Sequence, residues 1–334
     1  KPKILWQNPS HCKLMSSSHK LQTFSRLLKS HKLYSFLVTN PINIFYLTGF
    51  KGVLPADREA YLVVSTKPTL VTAKIYQTEA SRVKSKDLAV KIARERNEMI
   101  PLVAKLLNQT HSSSEVKESP RSHSGSVSIG FEQNDLKYGE YQELNRKFST
   151  LRSNSGFTQK VHPEGQASSN SNLKLIPYES LVEQMRQIKT ADEIAKIERA
   201  QIISQKAFGQ IVKTLKVGQT EEEIAARLSS IIKSLGGQGL AFESIIASGP
   251  NSGSPHHVTS MRKIKKGDVL LFDFGAKYQN YLSDLSRTVF MLKAKDHHRN
   301  IYSHVLTAQQ KAIAKIASGL AASDVYHIVN NHFK

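Results

Sequence analysis

The stretch VLLFDFGAKYQNYLSDLSRTVFM (269–291) constrains this chain most, because it sets two carboxylates, Asp273 and Asp284, eleven residues apart around turn chemistry. The run VLLFDF (269–274) is apolar and strand-like, and DLSRTVFM (284–291) reads as a second strand with weaker alternation. An antiparallel pair whose turn is centred between Tyr278 and Gln279 puts Asp273 opposite Asp284. Opposed residues have Cβ atoms roughly 4.5–5.5 Å apart. Two bare carboxylates so placed repel unless a proton or a cation lies between them. A divalent metal, or a pair of them, supplies that cation and takes hard oxygen ligands. The spacing alone is also readable as two polar groups flanking a hairpin.

His256 and His257 follow a loop rich in Gly, Pro, Asn and Ser (248–255). A histidine near a metal site can be a ligand, a proton shuttle or a transition-state donor.

The runs SGPNSGSPHH and KKGDVLLFDFGAKYQNYLSDLSRTV resemble the catalytic core of the pita-bread metallopeptidases, the family of aminopeptidase P, prolidase and creatinase. The resemblance implies that Asp273 and Asp284 bind a dinuclear metal centre, with manganese expected first and zinc or cobalt as alternatives. It also implies a histidine seventeen residues before the first aspartate that binds substrate and stabilises the transition state. That position is His256, with His257 a neighbour whose role could be exchanged with it. Ser283, Arg287 and Thr288 are readable either as supports of the centre or as plain sheet-surface residues.

The run NPINIFYLTGF (40–50) resembles the opening of the creatinase-type N-terminal domain. The implied fold is an α/β N-terminal creatinase-like domain followed by an α+β pita-bread catalytic domain, incomplete at its C-terminus. The expected division is an extension at 1–14, an N-terminal domain over 15–172 and a partial catalytic domain over 173–334. Within the first domain, Leu21, Phe24, Leu27 and Leu28 have helical spacing. Leu33–Thr39, AYLVVS (60–65) and TLVTA (69–73) read as strands, and helical segments are expected around 86–107. Ser-rich stretches at 111–126 and 152–172 read as mobile loops. Their His111, His123 and His162 read as solvated rather than as metal ligands.

In the second domain Thr190/Glu193 and Thr220/Glu223 are candidate capping boxes. One helix is expected to carry Ile194, Ile197, Gln201, Ser204, Phe208, Ile211 and Leu215 along a single face, and the next Ile224, Leu228, Ile231 and Leu235. Phe242–Ser248 reads as a strand. A helix over roughly 298–317 precedes a last one capped by Ser323-Asp324.

The resemblance also implies a later Gly-rich histidine motif and two glutamates as further metal ligands, and neither motif occurs in the 334 residues. His327 and His332 lack the Gly-rich context. Two carboxylates alone make an incomplete site, so the chain by itself is expected to be a poor catalyst, with apolar helix faces left uncovered.

Net charge is +20, and the basic residues are scattered without zinc-finger spacing or an aromatic-basic platform. Specific nucleic-acid binding is therefore not expected. No run of eighteen apolar residues marks a membrane span, and the single cysteine, Cys12, excludes a disulfide framework. A cytoplasmic location is expected. The activity implied is metal-dependent hydrolysis of the bond between an N-terminal residue and proline, with such a peptide as substrate and a homodimer as the possible assembly. The alternative is a non-catalytic pita-bread module that binds peptides or a polyanion such as nucleic acid.

Overall fold

The computed structural model describes residues 16–51, 58–109, 127–153 and 173–334. The expected extension at 1–14, Cys12, His111, His123, His162 and almost all of both Ser-rich stretches lie outside the described residues. Leu151–Ser153 belong to a helix rather than a loop. The chain divides into two units, Lys1–Thr190 and Ala191–Lys334.

The first unit opens with helix α1 (Ser17–Ser30), strand β1 (Ser35–Val38) and helix α2 (Pro41–Thr48). Asn40 caps α2: its side chain accepts from the N–H groups of Ile42 and Asn43, and Pro41 sits where no N–H partner is needed. Strands β2 (Ala60–Val64) and β3 (Thr69–Ala73) follow, then helix α3 (Gln77–Val83), strand β4 (Ala89–Ala93) and helix α4 (Met99–Gln109). Strand β5 (Val127–Glu132), helix α5 (Tyr138–Ser153), strand β6 (Leu173–Tyr178) and helix α6 (Leu181–Gln187) complete the unit.

The six strands form one mixed sheet in the order β4-β3-β2-β1-β5-β6. Its central strands are buried along their whole length, and the period of two divides their side chains between two cores. Phe36, Val38, Leu62, Val64 and Leu70 pack on one face with Leu21, Phe24 and Leu28 of α1 and Ile44 of α2. Leu37, Tyr61, Val63 and Val71 pack on the other with Val103 and Leu107 of α4 and Leu144 of α5. Two sequence expectations need correction. Residues 89–93 (AVKIA) are not helical; they pair parallel to β3, where the edge of a covered sheet outweighs local propensity. Leu173–Tyr178 pairs parallel to β5 and closes the first sheet rather than opening the second unit.

The second unit begins with helices α7 (Ala191–Val212) and α8 (Glu221–Ser234). Strand β7 (Ile245–Ser248) leads by a long loop to β8 (Val269–Phe274), the short hairpin strands β9 (Lys277–Tyr278) and β10 (Tyr281–Leu282), and β11 (Leu285–Phe290). Helices α9 (Asp296–Lys315) and α10 (Ala322–Phe333) follow. The main sheet runs β11-β8-β7, antiparallel throughout. Leu270, Phe272 and Phe274 project from one face of β8 into a core built with Ile203, Ala207 and Ile211 of α7 and Ile224, Leu228 and Ile232 of α8. The buried stripe of α7 keeps Ser204 and Ile211 of the expected face, with Phe208 and Leu215 packed against the core, but adds Ala200, Ile203 and Ala207, while Ile194, Ile197 and Gln201 are half-buried. The Thr220/Glu223 capping box forms as expected. The cap expected from Ser323-Asp324 does not, because α10 begins two residues earlier than a Ser323 cap would start it, at Ala322, behind a non-capping Ala321. Ile301, Val305, Ile313, Ile316, Tyr326 and Phe333 of the α9–α10 region are exposed.

Gly130 on β5 sits where the first sheet leaves no room for a side chain. A Cβ there would lie 2.4 Å from the ring of Phe36, which is fully buried and meets Phe24 edge-to-face. Gly130→Ala is expected to lower unfolding stability by roughly 1–3 kcal/mol through overpacking. Urea unfolding followed by far-UV circular dichroism checks this, and an unchanged midpoint would contradict it.

Candidate active site on a sheet face turned away from two helices

The turn between β9 and β10 has two central residues, Gln279 and Asn280, both with positive φ. Two such residues match the twist of the flanking strands. Tyr278 pairs with Tyr281, and the same register continues through a hydrogen bond from the N–H of Ser283 to the carbonyl of Ala276 into β8–β11. Asp273 is consequently opposite Ser286, not Asp284 as the sequence spacing suggested. The turn is centred one residue later than expected, because Ala276 to Tyr278 continue the ladder instead of turning. Asp284 falls two positions along from Ser286, on the same face, as a diagonal neighbour of Asp273. Diagonal neighbours are roughly 7–8 Å apart, a separation that leaves room between the carboxylates.

That face is the one turned away from α7 and α8, since the core residues Phe272, Phe274 and Leu285 alternate with Asp273, Asp284 and Ser286. Asp273 is half-buried and accepts a hydrogen bond from the Ser286 hydroxyl at 2.8 Å. Asp284 is exposed. Both are hard oxygen donors, suited to manganese, magnesium or zinc. Among the described residues, no group of three or more His, Cys, Asp or Glu side chains could hold an ion, so the pair supplies only part of a coordination shell.

Gly275 allows the close crossing of the two strands. A Cβ on it would meet the Ser283 carbonyl at 1.8 Å. Ser283 itself is buried, exchanges a hydrogen bond with Ser204 of α7 at 2.8 Å and accepts from the N–H of Ala276 at 2.9 Å. It fastens the strand crossing to the helix layer. Arg287 is exposed and donates to the Ser286 carbonyl, and Thr288 is half-buried opposite Leu271.

The two histidines of the doublet are distinguished in their contacts by Glu221, a residue that sequence reasoning passed over. Glu221 is fully buried at the first position of α8. Its Oε1 accepts from the N–H and hydroxyl of Ser248, both at 2.7 Å, and from Asn251 at 3.0 Å. Its Oε2 accepts from the Ser260 hydroxyl at 2.6 Å and N–H at 3.1 Å, and lies 2.8 Å from Nε2 of His257. Burial pushes the carboxyl up, but the hydrogen bonds from Ser260, Ser248, His257 and Asn251 outweigh it and hold it at about 2. The helix N-terminus favours the same anionic form. Glu221 thus ties together both ends of the loop that follows β7. Thr259 completes the return by accepting from the N–H of Ile246 and donating to the carbonyl of Ser244, next to Ile245, which faces Asp273. His257 is spent on this cradle. His256 is exposed and makes no hydrogen bond among the described residues. The only sequence signals for Glu221 were hydroxyl and amide side chains at 248, 251 and 260, none of them near it in the chain.

Because the Glu221 carboxyl is depressed on folding, its contribution is present above the ordinary carboxylate range and lost as pH falls toward 2. Glu221→Gln is expected to cost roughly 2–3 kcal/mol near neutral pH. The gap between variant and parent should narrow as pH drops from about 4.5 toward 2. Thermal melts across that window check this, and a gap independent of pH would contradict it.

Comparison with known proteins places this geometry in a family. Residues 20–188 match the creatinase/prolidase N-terminal domain, and residues 195–334 match metallopeptidase family M24. An uncharacterised peptidase of Bacillus subtilis, YqhT, is 28% identical over 318 residues, which take in 94% of this chain and 76% of that protein. An Xaa-Pro dipeptidase of Pyrococcus horikoshii is 37% identical over 153 residues, a match spanning 46% of this chain and 44% of that enzyme. Among solved structures, an Xaa-Pro dipeptidase from Bacillus anthracis superposes with a TM-score of 0.77 at 25% identity, covering 95% of this chain and 77% of that one. A prolidase from Thermococcus sibiricus gives 0.76 at 25% identity, covering 96% and 78%. The two-unit fold, with its paired aspartates in the second unit, belongs to the creatinase/prolidase-type proteins of metallopeptidase family M24.

Proposed function

We propose that this chain carries part of the machinery for metal-dependent hydrolysis of the bond between an N-terminal residue and proline. The observation that carries the reading is the placement of Asp273 and Asp284 on one face of β8–β11, clear of the helix layer. The relatives named as Xaa-Pro dipeptidases supply the substrate class.

In this reading Asp273 and Asp284 hold divalent metal, with manganese the first candidate and zinc or cobalt next. Bound metal would supply Lewis acidity and an activated water at neutral pH. Ser286 orients the Asp273 carboxylate by donating to it. Glu221 and His257 fix the loop that presents His256, and His256 donates to the substrate carbonyl as it becomes an oxyanion. The scissile bond precedes proline and is a tertiary amide, so the site has no substrate N–H to satisfy there.

With no third His, Cys, Asp or Glu grouped with Asp273 and Asp284 among the described residues, the chain alone is expected to be slow. No described helix is long and apolar enough to cross a membrane, and a cytoplasmic homodimer is the setting we propose.

The test is release of proline from alanyl-proline by the 334-residue chain in manganese, beside a Pyrococcus prolidase. We expect metal-dependent release at least about 100-fold slower than the prolidase, and its loss in Asp273→Ala. Equal cleavage of alanyl-alanine would overturn the proline assignment. Metal binding without any proline release would favour the non-catalytic module.

A further inference from the structure

The first unit contains a cleft that the proposed peptidase chemistry does not use. Its volume is about 410 Å³. One wall is the outer flank of α1, with Gln22, Ser25, Arg26 and Lys29. The other is made by Thr66, Lys67 and Pro68 of the β2–β3 turn and by Lys86 and Asp87 just before β4, with Leu21 at the floor.

Four cations, Arg26, Lys29, Lys67 and Lys86, therefore border one concavity with a single carboxylate. None of the four has an ion-pair partner among the described residues. Arg26 makes only an intrahelical bond to the Thr23 hydroxyl at 3.3 Å. The one carboxylate, Asp87, is already engaged by the Ser18 hydroxyl. Like charges gathered in a concave space raise the local potential and leave a demand for an anion.

The walls are pre-formed. Lys67 is held by its N–H to Ser65 Oγ and by its carbonyl, which accepts from the hydroxyls of Ser65 and Thr69. The Pro68 carbonyl accepts from the N–H of Ala89 at 2.9 Å, joining the two segments of that wall. Ser25, Thr66 and Gln22 add neutral polar groups between the charges.

The lining also limits what can bind. It has no aromatic ring on which a base could stack and no histidine, cysteine or carboxylate pair to take a metal. Its apolar contribution is Leu21 and Pro68, too little for a lipid tail or a peptide anchor. Charge without stacking or apolar grip selects a compact, multiply charged oxyanion.

We propose that this cleft is a binding site for an oligophosphate group, held by Arg26, Lys29, Lys67 and Lys86. A free oligophosphate and the phosphate chain of a nucleotide share that chemistry. In either case the phosphates make the contacts and the rest of the molecule projects into solvent.

The experiment is calorimetric titration of the full chain with sodium tripolyphosphate, without added divalent metal and at 0.15 M salt. Adenosine triphosphate is titrated in parallel. The cleft variant is Lys67→Glu/Lys86→Glu. The control is Lys213→Glu/Lys266→Glu, which reverses the same charge at exposed positions of the second unit. Circular dichroism confirms that each variant is folded.

Saturable one-to-one binding of tripolyphosphate is expected, weakened at least about tenfold in the cleft variant and unchanged in the control. Adenosine triphosphate should bind no more than a few-fold more tightly, since the base finds no stacking partner. Equal weakening in both variants would overturn the site in favour of the chain's overall positive charge. Absence of saturable binding, or binding untouched by the cleft variant, would overturn it as well. A preference of tenfold or more for the nucleotide would contradict recognition by the phosphates alone.

Discussion

The register of β8 against β11 is the constraint on which the rest of the second unit depends. It is set by a two-residue turn at Gln279-Asn280 and locked where the Ser283 backbone passes over Gly275. A side chain at 275 would force the strands apart. From this register follow the burial of Phe272 and Phe274 under α7 and α8 and the projection of Asp273 and Asp284 to the other side. A slip of one residue would exchange the two sets and place a carboxylate in the apolar core.

A slip of two residues is a milder error, and it is the one that sequence reasoning made. Because side chains alternate with period two, shifting the partner of Asp273 from Asp284 to Ser286 keeps both aspartates on one face. What changes is their separation and who lies between them. The serine hydroxyl takes the directly opposed place and hydrogen-bonds Asp273, so the carboxylates need not repel at close range. The turn was misplaced because Gly275 and Ala276 look like turn residues, whereas the ladder runs on to Tyr278 and the positive-φ positions fall on Gln279 and Asn280.

Much of the fold could be read in the sequence because apolar runs of strand length, such as AYLVV and TLVTA, sit between clear turn residues. AVKIA could not be read so: its burial is partial and it becomes a strand only by pairing with β3. The stripe of α7 was only partly legible because Ala200 and Ala207 share the buried face with Ile203 and Ile211, whereas Ile194 and Ile197 near the helix start are half-buried. Glu221 was hidden for a different reason. Its donors come from residues 248–260, so no local pattern announces a buried carboxylate with six hydrogen bonds to four residues. By engaging His257 it distinguishes the two members of the doublet: His257 is held in the loop and His256 is exposed, which supports the proposed substrate role of His256.

The account's central claim is that Asp273 and Asp284 form one metal-binding unit on the sheet face turned away from α7 and α8. Calorimetric titration of manganese into the chain and into an Asp273→Ala/Asp284→Ala variant tests it most directly, with circular dichroism confirming that both are folded. The account predicts saturable binding by the parent chain that the variant loses. Identical titrations for the two proteins would contradict it and would leave the aspartates as turn-flanking polar groups.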